Sequence, residues 1–210
     1  MPTLAGSEAR VNKPTKLLKA GHPDLAKSVS IDDTWAAIDP VDNPDCASQR
    51  QRMRQLIDTR PRPLDRTERP GHFTGSALVV HADLERTLVL FHTKLQIWVQ
   101  PGGHADGDAN LAAVALKEAT EETGIDDLAV WPIAVDLDVH EVRPPKEDRH
   151  LHYDVRFVVI APPNAEVNAN HESQAQRWVT PHELTALGAD TGLRRLAGNG
   201  LSMARRLNEA

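Results

Sequence analysis

Alternation of apolar and polar positions divides the chain near residue 71. Beyond it, residues 74–81 and 86–92 read as strands joined by a short turn at Ala82-Asp83. Residues 96–99 read as a brief strand running into Gly102-Gly103, and residues 111–123 repeat with helical period. Residues 129–142 and 150–161 read as two longer strands on either side of a charged, proline-bearing connection, and residues 175–180 as another. Thr180-Pro181-His182-Glu183 has the spacing of a capping box with proline at the first helical position. A last helix brings Leu193, Leu196, Leu201, Ala204 and Leu207 to the core, with a break expected at Gly198-Asn199-Gly200. Strands interleaved with helices around one glycine turn predict an α/β sandwich.

Upstream the pattern is weaker. Residues 1–30 carry lysines and prolines with little apolar periodicity and read as an arm that is extended or held down by other parts of the protein. Asn43-Pro44 predicts a capped helix over residues 44–59, with Cys46, Met53, Leu56 and Ile57 as its apolar side. Arg60-Pro61-Arg62-Pro63 stops it, and the proline-rich stretch to Gly71 reads as a linker. The expected division is a helical N-terminal extension, 1–70, followed by a main domain, 71–210.

Composition narrows the function classes. A 40% hydrophobic content supports a packed core, and a net charge of −6 argues against general affinity for nucleic acid or anionic membranes. It leaves room for a small nucleotide substrate held by a metal and local basic groups. The one cysteine, Cys46, excludes an intramolecular disulfide and fits a reducing compartment. No signal-peptide run or membrane span is visible, so the expectation is a cytoplasmic protein.

The run from Leu111 to Ile125 carries the chemistry. At about 100° per residue, Leu111, Ala112, Val114, Ala115, Leu116 and Ala119 fill an apolar arc of roughly 200°. Glu118 and Glu122 fall inside that arc, and Glu121 lies just off its edge, while Lys117, Ala113 and Thr120 take the opposite side. Glu118, Glu121 and Glu122, at i, i+3 and i+4, are neighbours on one helix surface. Carboxylates aimed with the core stripe require partners. A hard divalent cation, which takes oxygen ligands, meets that need better than solvent does.

Gly103, Glu118, Ala119, Glu121, Glu122, Gly124 and Ile125 resemble, in register, the signature box of the Nudix hydrolase family, and Gln100-Pro101-Gly102-Gly103 resembles its entry. Two positions depart: Ala109 stands where the family has a glutamate, and Lys117 where it has an arginine. The resemblance implies a Nudix-like α/β/α sandwich with a mixed sheet. It also implies Mg²⁺-dependent attack of water on a phosphoanhydride in a nucleoside diphosphate linked to another moiety, with Mn²⁺ as an alternative ion. By it Gly103 (through its carbonyl), Glu118, Glu121 and Glu122 hold the metal. Glu118 and Glu122 then share the catalytic work with Lys117, which orients Glu118 without arginine's planar fork. Ala109 lies roughly 13 Å along the axis from Glu118, so its departure is expected to matter little, with Ala109→Glu changing turnover less than about tenfold.

Other residues are candidates for substrate contact. In a strand, His150, His152, Asp154 and Arg156 share one face. That face is either a solvated polar stripe, a cleft wall in which His152, Asp154 and Arg156 meet substrate, or a transition-metal site lacking a visible fourth ligand. Trp98 and His104 flank the glycine turn and could stack on a base or sugar, although a core position suits Trp98 as well. Glu172 is a candidate base or extra ligand. Two rival readings use the same fold: a non-catalytic ligand-binding module, and an isopentenyl-diphosphate isomerase-like enzyme, which needs a cysteine that 71–210 lacks. The first 70 residues could cap the cleft, make a homodimer or only pack on the domain.

Overall fold

The computed structural model describes residues 16–93, 96–144, 147–167 and 173–209. The elements are β1 (Leu18–Lys19), α1 (Ile31–Ile38), α2 (Ala47–Thr59), β2 (Gly71–Val80), β3 (Thr87–His92), β4 (Ile97–Val99), β5 (Gly102–His104), α3 (Leu111–Thr123), β6 (Ala129–Val130), β7 (Asp136–Val142), β8 (His150–Ile160), β9 (Ser173–Val179), α4 (Pro181–Ala186) and α5 (Thr191–Glu209). The strands form one mixed sheet in the order β1-β6-β8-β2-β3-β4, with β5 on β2, β7 on β8 and β9 on β3. Its centre is the parallel pair β2 and β8, in register from Gly71↔Leu151 to Val80↔Ile160.

Every residue of β2 is buried because helices cover both faces. Phe73, Ala77 and Val79 pack with Leu111, Val114 and Ala115 of α3, whereas Leu78 and Val80 pack with Leu193, Leu196 and Leu201 of α5. This is the expected α/β/α sandwich. The capping box forms as spaced: Thr180 Oγ1 accepts from the Glu183 N–H, and the Glu183 carboxylate accepts from the Thr180 N–H at 2.8 Å.

Several element boundaries differ from the sequence reading: β2 starts at Gly71, three residues before the expected strand, and the expected glycine turn is strand β5. The strand expected over 129–142 is split into β6 and β7 by Trp131-Pro132, where proline has no N–H to give the ladder. The last helix is unbroken from Thr191 to Glu209. Gly200 is there for close approach, since a Cβ at that position would collide with the buried Leu78 side chain.

The N-terminal segment is tied into the same core. Leu18 pairs with Val130, and Leu18, Ile38, Met53 and Leu56 are buried in one cluster with Phe73 and Leu111. The helix expected over 44–59 begins as a 3-10 turn, Pro44–Cys46, capped by Asn43, and continues as α2. Helix α1 had no counterpart in the sequence reading. The proline-rich stretch is a strap more than a linker: Pro63 O accepts from the Phe73 N–H, Leu64 O accepts from the Gly107 N–H, and Arg66 grips Asp106 with two nitrogens.

Candidate active site

Strand β5 runs antiparallel to β2, with Ser76↔Gly102, Gly75↔Gly103 and Thr74↔His104 opposed. Helix α3 then starts at Asn110, whose side chain accepts from the Ala113 N–H, and ends at Gly124 in the left-handed conformation that glycine tolerates. This turn-helix unit presses the helix against the glycines. A Cβ on Gly103 would lie 2.5 Å from the Glu118 carboxyl carbon, so glycine there leaves room for a carboxylate against the backbone. Glu122 accepts a hydrogen bond from the Gly102 N–H at 3.1 Å.

The three glutamates are placed as the helical geometry predicts: Glu118 and Glu122 half-buried, Glu121 exposed. Lys117 Nζ lies 3.1 Å from both Glu118 and Glu121. Hydrogen bonds to Glu121 and Glu118 hold its pKa above the usual lysine value. The lysine therefore bridges two carboxylates and does not grip Glu118 alone. A cleft of about 610 Å³ opens beside them, lined by His104, Asp106, Lys117, Glu118, Glu121 and, from the N-terminal segment, Lys27.

The polar face of β8 is neither solvated nor a cleft wall along its whole length. Strands β7, β8 and β2 align in register to give three polar ranks: His140, His152 and His72; then Asp138, Asp154 and Thr74; then Asp136, Arg156 and Ser76. Asp154 accepts from Thr74 (2.9 Å), Ser76 (2.7 Å) and Arg156 Nε (2.7 Å). Arg156, 4% exposed, also pairs with Asp136 (3.2 Å) and Asp138 (3.1 Å) and donates to Gly192 O. Burial alone would lower its pKa, but the charges of Asp154, Asp138 and Asp136 outweigh that and raise it. Arg156 and Asp154 are thus satisfied within the protein, under α5.

The first rank differs. His104 joins it from β5, its ring 5.1 Å from those of His72 and His152. Burial, and then the charge of His104, pushes His72 down to about 4. Burial and four neighbouring histidines push His152 down to about 2. Both rings are neutral at neutral pH. Trp98 lies apart, its ring 5.2 Å from Phe91 and packed against the apolar cluster that Leu78 and Val80 form with α5. His171 and Glu172 lie outside the described residues.

A family model, the NUDIX domain, matches residues 73–197. The chain belongs to the NUDIX family. It is a Nudix pyrophosphohydrolase, an enzyme of phosphoanhydride bonds, on the fold described above. Among solved structures, a Caenorhabditis elegans Ap4A hydrolase in a binary complex is similar with TM-score 0.52 and 14% identity, over 66% of this chain and 98% of that one. The Escherichia coli dihydroneopterin triphosphate pyrophosphohydrolase gives 0.50 and 18%, over 64% and 97%. A structure described as a possible asymmetric diadenosine tetraphosphate hydrolase from Jonesia denitrificans gives 0.52 and 16%, over 64% and 95%. At those identities the likeness is one of fold. No curated protein matches the chain.

Sequence reasoning missed His72, Asp136, Asp138 and Lys27. The aspartates and His140 alternate with period two in residues 136–140 and were open to reading as one face. His72 was not, because its place depends on the parallel pairing of strands about 80 residues apart.

Proposed function

We propose that this Nudix enzyme is a Mg²⁺-dependent hydrolase that cleaves a phosphoanhydride in a nucleoside diphosphate linked to another group. The observation that carries the reading is the packing of Glu118, which lines the cleft, against Gly103, with Glu122 one turn on accepting from the Gly102 N–H. This is an oxygen-donor set suited to a hard cation. Glu118, Glu121, Glu122 and the Gly103 carbonyl would hold Mg²⁺, which supplies charge neutralisation on the phosphoryl oxygens and a more acidic water.

The chain's own groups do the rest. Lys117 keeps Glu118 and Glu121 in place through its two ion pairs and brings positive charge to the cleft edge. The glutamates titrate as a coupled set, so the proton taken from the attacking water belongs to the cluster and not to one carboxylate. Lys27 and His104 face the same cleft and are the groups we assign to the substrate's phosphates and adjoining sugar or base. Asp154 and Arg156 stiffen the sheet beneath it. Residues 16–70 act as an extension of the catalytic domain that builds one wall of the cleft. A turnover screen over Ap4A, nucleoside triphosphates and nucleoside diphosphate derivatives, with Mg²⁺ and with Mn²⁺, tests the reading. Metal-dependent cleavage of at least one compound is expected, and release of no product from any of them contradicts it.

A further inference from the structure

His72, His150 and His152 each present a ring nitrogen within 4.8 Å of the other two, and they are the only such group of three His, Cys, Asp or Glu side chains among the described residues. His72 is fully buried and His150 is 3% exposed. The Nε2 atoms of all three are buried with no hydrogen-bond partner. An unsatisfied buried polar atom is costly, and three in one place are rare unless they serve something.

Their other nitrogens say what. His72 Nδ1 lies 3.5 Å from Glu68 O, and His150 Nδ1 lies 2.7 Å from Asp148 O. A carbonyl oxygen only accepts, so each Nδ1 carries the proton. In a neutral imidazole the Nε2 then presents a lone pair. This is how a metal-ligating histidine is oriented, with the far N–H given to a backbone carbonyl. The fold builds the cluster from distance. His72 and His152 are register partners on the parallel strands β2 and β8, and His150 is two residues along on the same face. The three rings stand 5.0 to 5.2 Å apart, two pairs across adjacent strands and one between alternate residues of β8.

We propose that His72, His150 and His152 form a transition-metal site, with Zn²⁺ as its ion, separate from the glutamate cluster. Imidazole nitrogen suits Zn²⁺ and other borderline cations, whereas Mg²⁺ takes oxygen. Nitrogens around a tetrahedral Zn²⁺ stand ~3.3 Å apart, so the three rings draw inward on binding. His104, whose ring adjoins those of His72 and His152, borders the open fourth position and is not one of the ligands.

The test uses the full chain stripped with a chelator and titrated with Zn²⁺ alone, by equilibrium dialysis and by thermal melting. The Glu118→Gln/Glu122→Gln double variant removes the carboxylate site. It is expected to retain one equivalent of Zn²⁺ and a Zn²⁺-dependent rise in melting temperature. Adding His152→Gln, or separately His150→Gln, is expected to weaken Zn²⁺ binding at least about tenfold and to abolish the rise. The exposed His182→Gln is expected to change neither. Melting without metal reports whether each variant is folded. Failure of the wild type to bind Zn²⁺ overturns the proposal. So does loss of all binding in the glutamate variant, or unchanged binding in folded His152→Gln. None of these outcomes bears on Mg²⁺-dependent hydrolysis.

Discussion

Asp136 has no solvent exposure, and it holds two arginines, an amide and a thiol: Arg156 at 3.2 Å, Arg195 at 2.7 and 3.0 Å, Asn199 at 3.1 Å and Cys46 Sγ at 3.4 Å. Those partners come from α5, from β8 and from the turn before α2, so one carboxylate ties three layers together. Removing one member of a buried charge network strands the rest. Asp136→Ala is expected to destabilise the protein by about 3–5 kcal/mol in denaturant unfolding. Asp58→Ala, which breaks only the exposed pair with Arg54, is expected to cost no more than about 1 kcal/mol. Equal effects would contradict the hub. The same contact predicts the behaviour of Cys46. Burial, and next the charge of Asp136, pushes its thiol up to about 11, and the thiolate is the reactive form. A thiol reagent at neutral pH is expected to label Cys46 only as fast as the protein unfolds. Rapid labelling of the native protein would show the contact to be wrong. At this scale much was legible: the three glutamates fell where a helical wheel put them. The hub was not, because the charge partners of Asp136 are about 20 and 60 residues away in sequence.

The loop before α3 shows what the N-terminal segment does to the Nudix element. Ser28 N–H donates to Asp108, Ser28 O accepts from the Ala109 N–H, Thr34 Oγ1 donates to Ala109 O, and Asn110 Nδ2 donates to Asp24 O. Ala109, the clearest departure from the family signature, is fully buried under this clasp. Ala109→Glu was expected to change turnover little, because position 109 lies roughly 13 Å along the helix axis from Glu118 and a charge at a helix start serves only the local loop or the dipole. Burial adds a consequence for stability. A carboxylate at 109 displaces the clasp or is left unpaired beneath it, so Ala109→Glu is expected to destabilise by about 3 kcal/mol or more. Hydrogen exchange in residues 24–34 is expected to rise with it. An unchanged melting temperature would mean that the clasp is not made. The departure and the extension are thus two halves of one arrangement. Only the first half was visible in the sequence, since the arm lacks the periodicity that advertises packing.

Across the whole molecule, local signals carried the architecture a long way. The capping box at Thr180, α3 and most strands were readable because each is set by neighbours within a few residues. What was not readable was pairing at a distance: the parallel β2 and β8, the arm entering the sheet beside β6, and the histidine rank that this register assembles. Those features place a carboxylate cluster at the mouth of a cleft that one end of the chain helps to wall. We propose above that this cluster holds Mg²⁺. Steady-state hydrolysis of the best substrate from the screen, measured against Mg²⁺ concentration for the wild type, Glu118→Gln and Glu122→Gln, tests it most directly. No turnover is expected without a divalent cation, and either variant is expected to lose at least about a hundredfold in kcat/KM, about 2.7 kcal/mol in the barrier. Its Mg²⁺ requirement should also shift to higher concentration. Wild-type turnover and an unchanged Mg²⁺ dependence in both folded variants would contradict it.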